Sequence, residues 1–157
     1  MKNHHYKSKI EWTGNTGEST KSYRSYERNY TVSVDGKAEI KGSSDPAFLG
    51  NPELHNPEDL LLASVSSCHL LWYLHFCSTH KILVLEYVDF AEGTMIESEN
   101  GSGKFTEIIL KPKILVEKKD MLEKAIQLHQ KANEYCFIAN SLNFKVKHEP
   151  EITYKNE

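Results

Sequence analysis

Cysteine is the residue type in this chain with the most chemistry to offer, and there are three: Cys68, Cys77 and Cys136. Two of them fall in the stretch NPEDLLLASVSSCHLLWYLHFCSTH, whose residues 60–80 carry no formal charge. A buried cysteine is ordinarily a small, inert hydrophobe. A thiol beside a cation, or within reach of a second thiol, is a nucleophile and a disulfide partner. Cys136 closes the apolar face of a second helical pattern downstream. Two cysteines on two helices can pair reversibly when their Cα atoms lie within about 4.4–6.8 Å. On these grounds packing and redox chemistry both stay open for Cys68. Cys77 lies two and a half helical turns beyond Cys68, faces another way and reads as structural.

The same stretch holds His69, His75 and His80. Cys68 and His75 share a helix face but stand two turns apart, about 10 Å. Only Cys77 and His80 have chelating separation, and zinc takes three or four protein ligands. Packed, hydrogen-bonded histidines are therefore the better reading, and no metal is expected. Arg24 and Arg28 are the only arginines and both lie in KSYRSYERNY. As a strand, that segment would point both guanidiniums to one side. A guanidinium beside a thiol favours the thiolate and can hold a peroxide oxygen; a solvated strand face is the plainer alternative.

These residues need elements to position them. Asn56 suits a helix N-cap, Pro57 the first helical position, and Glu58 and Asp59 the positive end of the helix dipole. With Cys68 at zero on a helical wheel, Leu61, Val65, Trp72 and His75 fall on its side, and Leu62, Leu70, Leu74 and Cys77 on the other. A helix apolar all round is surrounded by protein or by lipid. The run is long enough to span a bilayer, yet it carries four serines and two internal histidines between strand-like flanks. A central helix wrapped by sheet and by a second subunit fits better than a membrane span.

Residues 6–12 and 21–34 read as strands, and Asp35-Gly36 signals a hairpin. ILVLEYVDFAEG and KFTEIILKPKILVEK each read as a strand. DMLEKAIQLHQKANEYC reads as a second helix, opened by an Asp120–Glu123 capping box. Its face is Leu122, Ala125, His129, Ala132 and Cys136. NFKVKH and EITYK read as closing strands. Grouped strands and helices argue for α+β. At 157 residues the chain reads as one domain spanning residues 1–157, with 39% hydrophobic and 26% charged residues. A net charge of −3 gives no bulk attraction to nucleic acid or anionic lipid. The N-terminus lacks an apolar signal-peptide core, and three cysteines are no disulfide scaffold. A reducing cytoplasm is the expected location.

NPEDLLLASVSSCH resembles the N-P-E-x-L segment of the OsmC-like proteins, the family that includes the organic hydroperoxide resistance proteins. In that family the segment runs into a helix whose cysteine follows the glutamate by ten residues, here Glu58 and Cys68. ANEYCFIANSL resembles the segment around the family's second cysteine, here Cys136. CHLLWYLHF, with GSSDPAFLG upstream, is similar to a less characterised OsmC-like branch. Phe137 stands where better-known members have proline, and Asn133 where a histidine is common.

The resemblance implies an OsmC-like α+β fold: curved antiparallel sheets around a long central helix in an intertwined homodimer. It implies a thiol-dependent peroxidase that reduces organic hydroperoxides, an antioxidant role in stress response. Cys68 would be peroxidatic, Cys136 resolving and Glu58 the site glutamate. Arg28 is the first choice for the site arginine and Arg24 the second. No cofactor is implied beyond an external thiol or lipoyl-type dithiol reductant. Leu71, Trp72 and Phe76 would form an apolar wall favouring organic peroxides. Ten residues of helix span about 15 Å. Glu58 therefore reaches Cys68 only through a bent helix or across a dimer. The rival readings are a dimeric apolar-ligand-binding module of the same fold without peroxidase activity, and a hydrolase on the same scaffold. The second lacks a G-x-S-x-G nucleophile elbow.

Overall fold

The computed structural model describes residues 2–155. It is α+β and falls into two compact units, one ending at Leu61 and the other beginning at Leu62. In the first unit β1 (Lys9–Trp12), β2 (Tyr30–Ser33) and β3 (Ile40–Gly42) form an antiparallel sheet in chain order. The Asp35-Gly36 hairpin joins β2 to β3. Gly36 has φ +72, Lys37 N–H donates to the Val34 carbonyl at 3.0 Å, and Val32 pairs with Ile40. Gly42 lies opposite Tyr30, whose ring covers it. A Cβ at Gly42 would stand 2.3 Å from Tyr30 Cζ, so only glycine lets the ring lie there.

The strand expected over residues 21–34 is confined to Tyr30–Ser33, and the residues before it are turns. Short polar side chains bind the backbone there. Asn15 Oδ1 accepts from Gly17 and Ser19 N–H, and Ser25 Oγ donates to Ser19 O at 2.8 Å. Such local bonds compete with a sheet ladder. Arg24 and Arg28 consequently do not share a strand face.

Helix α1 (Pro57–Thr79) begins as its sequence suggests. Asn56 Oδ1 accepts the Asp59 N–H at 2.7 Å, and Asp59 Oδ2 accepts the Asn56 N–H at 3.3 Å. Two otherwise orphaned donors are satisfied reciprocally. The helix ends with Lys81 at φ +59, where Ile82 N–H reaches back to Cys77 O at 2.9 Å. By length and composition alone α1 could cross a bilayer. Its buried stripe, Val65, His69, Tyr73, Phe76 and Cys77, recurs every three or four residues and packs into protein.

The second unit contains β4 (Val84–Asp89), β5 (Glu92–Glu97), β6 (Gly103–Leu110), β7 (Pro112–Val116), α2 (Leu122–Tyr135), β8 (Lys147–His148) and β9 (Glu151–Tyr154). Each of the two runs expected as one strand is broken into two, and the halves belong to different sheets. One sheet has the order β4-β7-β9, the other β5-β6-β8. Asp89 stabilises the corner: its Oδ1 accepts Lys111 N–H at 2.7 Å and its Oδ2 accepts Ser66 Oγ–H at 2.5 Å. Pro112 follows immediately and has no N–H to extend the ladder. The Asp120–Glu123 capping box is also not formed. Asp120 lies inside a 3-10 turn, Lys119–Met121, and α2 starts after it with no side-chain cap.

Two apolar clusters hold this unit. In one, Tyr73, Phe76 and Cys77 of α1 meet Ile114 and Val116 of β7 and Ala125, Leu128 and Ala132 of α2. In the other, Val65 meets Ile108 and Leu110 of β6 and Val146. Burying Val65 or Phe76 contributes about 1.5–3 kcal/mol each. α1 is thus clamped between sheet and α2, which fixes the two helices that carry the cysteines.

Candidate redox site

All three cysteines are free thiols. Cys68 is half-buried; Cys77 and Cys136 are buried. Cys136 follows the last residue of α2, and its thiol reaches across to α1, with Sγ 4.0 Å from the Val65 carbonyl. Val65 lies three residues before Cys68, so this contact sits within one helical turn of Cys68. The Cys136 thiol lies near enough to the Cys68 thiol for the two side chains to influence each other's ionisation. Burial, and then the neighbouring Cys68, push the Cys136 thiol up to about 12, against the N–H donors of Ala139 and Ile138. Ala139 N–H donates to Cys136 Sγ at 3.4 Å. Cys136 is therefore a protonated, dry thiol in contact with a partly accessible one.

Cys77 is separate. Burial pushes its thiol up to about 11, against the opposing influence of the neighbouring Tyr73 phenol. Burial and the neighbouring Cys77 raise the Tyr73 phenol well above its ordinary range.

Between the helices, one residue along from Cys68, His69 Nε2 lies 2.9 Å from His129 Nδ1. Both rings are fully buried. Tyr73 stacks on His129 at 4.0 Å between centroids, and His148 lies 5.8 Å from His69. Burial first, and then His148, lower His69 to about 4. Burial, His69 and His148 lower His129 to about 3. The pair is neutral at physiological pH. Packed, hydrogen-bonded histidines were the expectation for this stretch, and His69 is one. Among the described residues there is no group of three or more His, Cys, Asp or Glu side chains placed to hold a metal.

Trp72, four residues after Cys68, centres an aromatic cluster. It stacks with Phe76 at 5.5 Å and meets Tyr135 at 5.3 Å and Phe137 edge-on at 5.6 Å. Phe76 is 5% exposed and belongs to the core, whereas Leu71, 67% exposed, points to solvent. The expected wall of Leu71, Trp72 and Phe76 is thus spread over three environments. Tyr135 and Phe137 were not anticipated, although their position beside Cys136 was the available signal.

Glu58 occupies the first turn of α1, which is unbroken to Thr79. Arg28 lies in the N-terminal unit. Its guanidinium donates to the Tyr26 carbonyl at 2.5 Å and to the Tyr23 carbonyl, and stacks on both tyrosine rings. Arg28 and Glu58 form no ion pair among the described residues. Arg24 is exposed. Of the residues expected at the site, the structure brings Cys68 and Cys136 together.

Long helix, paired sheets and a two-thiol contact define a recognisable class. The OsmC-like protein family profile matches residues 50–151, and the chain belongs to that family. It is similar to the structure of an OsmC-like protein of unknown function from Vibrio cholerae, with 28% identity, a TM-score of 0.85, and 95% of this chain and 100% of that one covered. It shares its fold with an organic hydroperoxide resistance protein from Elizabethkingia anophelis, at 22% identity and TM-score 0.68, covering 98% and 100% of the chains. The fold is likewise that of an organic hydroperoxide resistance protein from Legionella pneumophila, at 19% identity and TM-score 0.67, covering 96% and 99%. No curated protein sequence matches the chain.

Proposed function

We propose that this protein is a thiol-dependent peroxidase for organic hydroperoxides. The observation that carries this reading is the contact between half-buried Cys68 and fully buried Cys136. The Cys68 thiolate attacks the distal oxygen of R-O-O-H, the O–O bond breaks, and the alkoxide takes a proton to leave as R-OH. Cys68 becomes a sulfenic acid. Cys136 then attacks that sulfur; its proton and the hydroxide leave as water, and a disulfide forms. Two equivalents of an external thiol, or one dithiol of lipoyl type, reduce the disulfide and are themselves oxidised.

Burial of Cys136 suits the resolving role. Burial pushes the Cys136 thiol up to about 12, which keeps it protonated and leaves half-buried Cys68 as the thiol open to peroxide. The aromatic cluster of Trp72, Tyr135 and Phe137, one helical turn from Cys68 along α1 and flanking Cys136 in sequence, is the proposed apolar surface for the R group. Arg28 is the proposed source of positive charge for the leaving oxygen, ahead of Arg24. To act it must release the Tyr23 and Tyr26 carbonyls. Glu58 is assigned to orient the arginine, acting across a homodimer, since about 15 Å of straight helix separates it from its own Cys68. Exposed Leu71 and Leu74 on α1, and Leu85 and Val88 on β4, supply apolar surface for a second copy. A reducing compartment would supply the thiol.

Thiol titration before and after one equivalent of an alkyl hydroperoxide tests the reading. A peroxidase loses two thiols per chain. No rapid loss contradicts it and leaves an apolar-ligand-binding module of the same fold.

A further inference from the structure

His69 and His129 take no part in the chemistry above, yet they are the fully buried polar side chains facing each other between the two cysteine-bearing helices. The contacts along that seam run in order. Cys136 touches the Val65 carbonyl, His69 meets His129, and Tyr73 stacks on His129. Residue numbers rise along α1 as they fall along α2, so the helices run antiparallel and the histidine pair sits next to the thiol contact. Cys136, at the C-cap of α2, comes seven residues after His129 and so continues the face that carries it. The remaining seam residues around the pair are apolar or aromatic: Val65, Ala125, Leu128 and Ala132. Apolar side chains tolerate sliding by a fraction of an ångström, whereas an N–H···N bond of 2.9 Å does not.

The outer ring nitrogens, His69 Nδ1 and His129 Nε2, have no hydrogen-bond partner among the described residues. Each imidazole therefore has the other as its polar partner. Fixing register is the best-attested use of a buried polar pair in an apolar seam. Disulfide formation is demanding of register, because Cα separation and Cβ direction both have to fit.

We propose that His69 and His129 are positioning residues whose mutual hydrogen bond fixes the register of α1 against α2 and so holds Cys68 within disulfide reach of Cys136. The proposal rests on the Cys68–Cys136 disulfide of the preceding reading, but not on reaction with peroxide.

The test is the thiol–disulfide equilibrium with glutathione in a Cys77→Ser background. One oxidised glutathione is consumed, two reduced glutathiones are released, and Cys68 and Cys136 are joined. The constant gives the effective concentration of one thiol at the other. His69→Leu with His129→Leu removes both polar rings and leaves no unpaired nitrogen. This double variant is expected to stay folded, with an effective concentration about tenfold to a hundredfold lower. A folded double variant that keeps the unsubstituted value to within about twofold overturns the proposal, because a merely structural pair predicts that result.

Should the double variant not fold, His129→Gln and His129→Met take its place. They are similar in length and differ in hydrogen-bonding power. Glutamine retaining the effective concentration while methionine loses it supports the proposal; equal values overturn it. If the protein with native histidines has a high effective concentration but consumes no hydroperoxide, the peroxidase reading fails and the positioning role stands.

Discussion

Cys136 and Cys77 are two buried thiols in one small unit, and burial raises both, to about 12 and about 11. Desolvation is common to the two sites and decides nothing between them. The neighbours differ. Cys136 meets the thiol of half-buried Cys68, whereas Cys77 meets the phenol of Tyr73 in the middle of the apolar cluster. A phenol offers a hydrogen bond and no redox partner. Reactivity here thus follows from which side chain stands beside the thiol and from access to one member of the pair.

Substitution breaks this comparison most sharply at Cys68. Cys68→Ser should abolish hydroperoxide consumption, measured by loss of peroxide, while Cys77→Ser should keep it. Consumption surviving in Cys68→Ser would move the nucleophile elsewhere. Next in size is Cys136→Ser, which should complete the first step and stop at a Cys68 sulfenic acid that dimedone labels. Excess peroxide should then carry it to the sulfinic acid, since no second thiol resolves it. A disulfide appearing in Cys136→Ser would show that Cys77 is not isolated.

Acid should loosen the seam beside Cys136 through the histidine pair. His69 and His129 are lowered to about 4 and about 3, so below the ordinary histidine value near 6.5 the unfolded chain binds protons that the folded chain refuses. Stability is full above about pH 6.5 and falls as pH drops towards 4, by roughly 3 kcal/mol from His69 alone. Urea midpoints between pH 7 and 4 read this. The dependence should flatten in the His69→Leu, His129→Leu double variant, and an equally steep one there would place the protons on other groups. The smallest effect is at Cys77. Cys77→Ala should cost about 1 kcal/mol through lost packing and leave the chemistry intact.

Much of this site is legible in the chain itself. NPEDLLLASVSSCH contains its own helix start, and the Asn56–Asp59 box forms because capping is local. The three-four spacing that ends at Cys136 survives as the buried face of α2. The Asp35-Gly36 turn is equally local. What could not be read is whatever depends on a distant partner. The bend that splits β4 from β5 needs Asp89 to find Lys111 and Ser66. His69 gains its meaning from His129, sixty residues away. KSYRSYERNY has strand-like composition, but Ser25 and Asn15 bind the local backbone, and the Arg28 guanidinium closes on the Tyr23 and Tyr26 carbonyls. Asp120 shows the converse error, a cap motif overridden by the 3-10 turn that contains it.

Intact mass with peptide mapping, after one equivalent of an alkyl hydroperoxide, tests the central claim most directly. The account predicts that the chain loses a pair of hydrogens and that one disulfide joins the peptides of Cys68 and Cys136, with Cys77 still a free thiol. An unchanged mass, or a disulfide that includes Cys77, would contradict it.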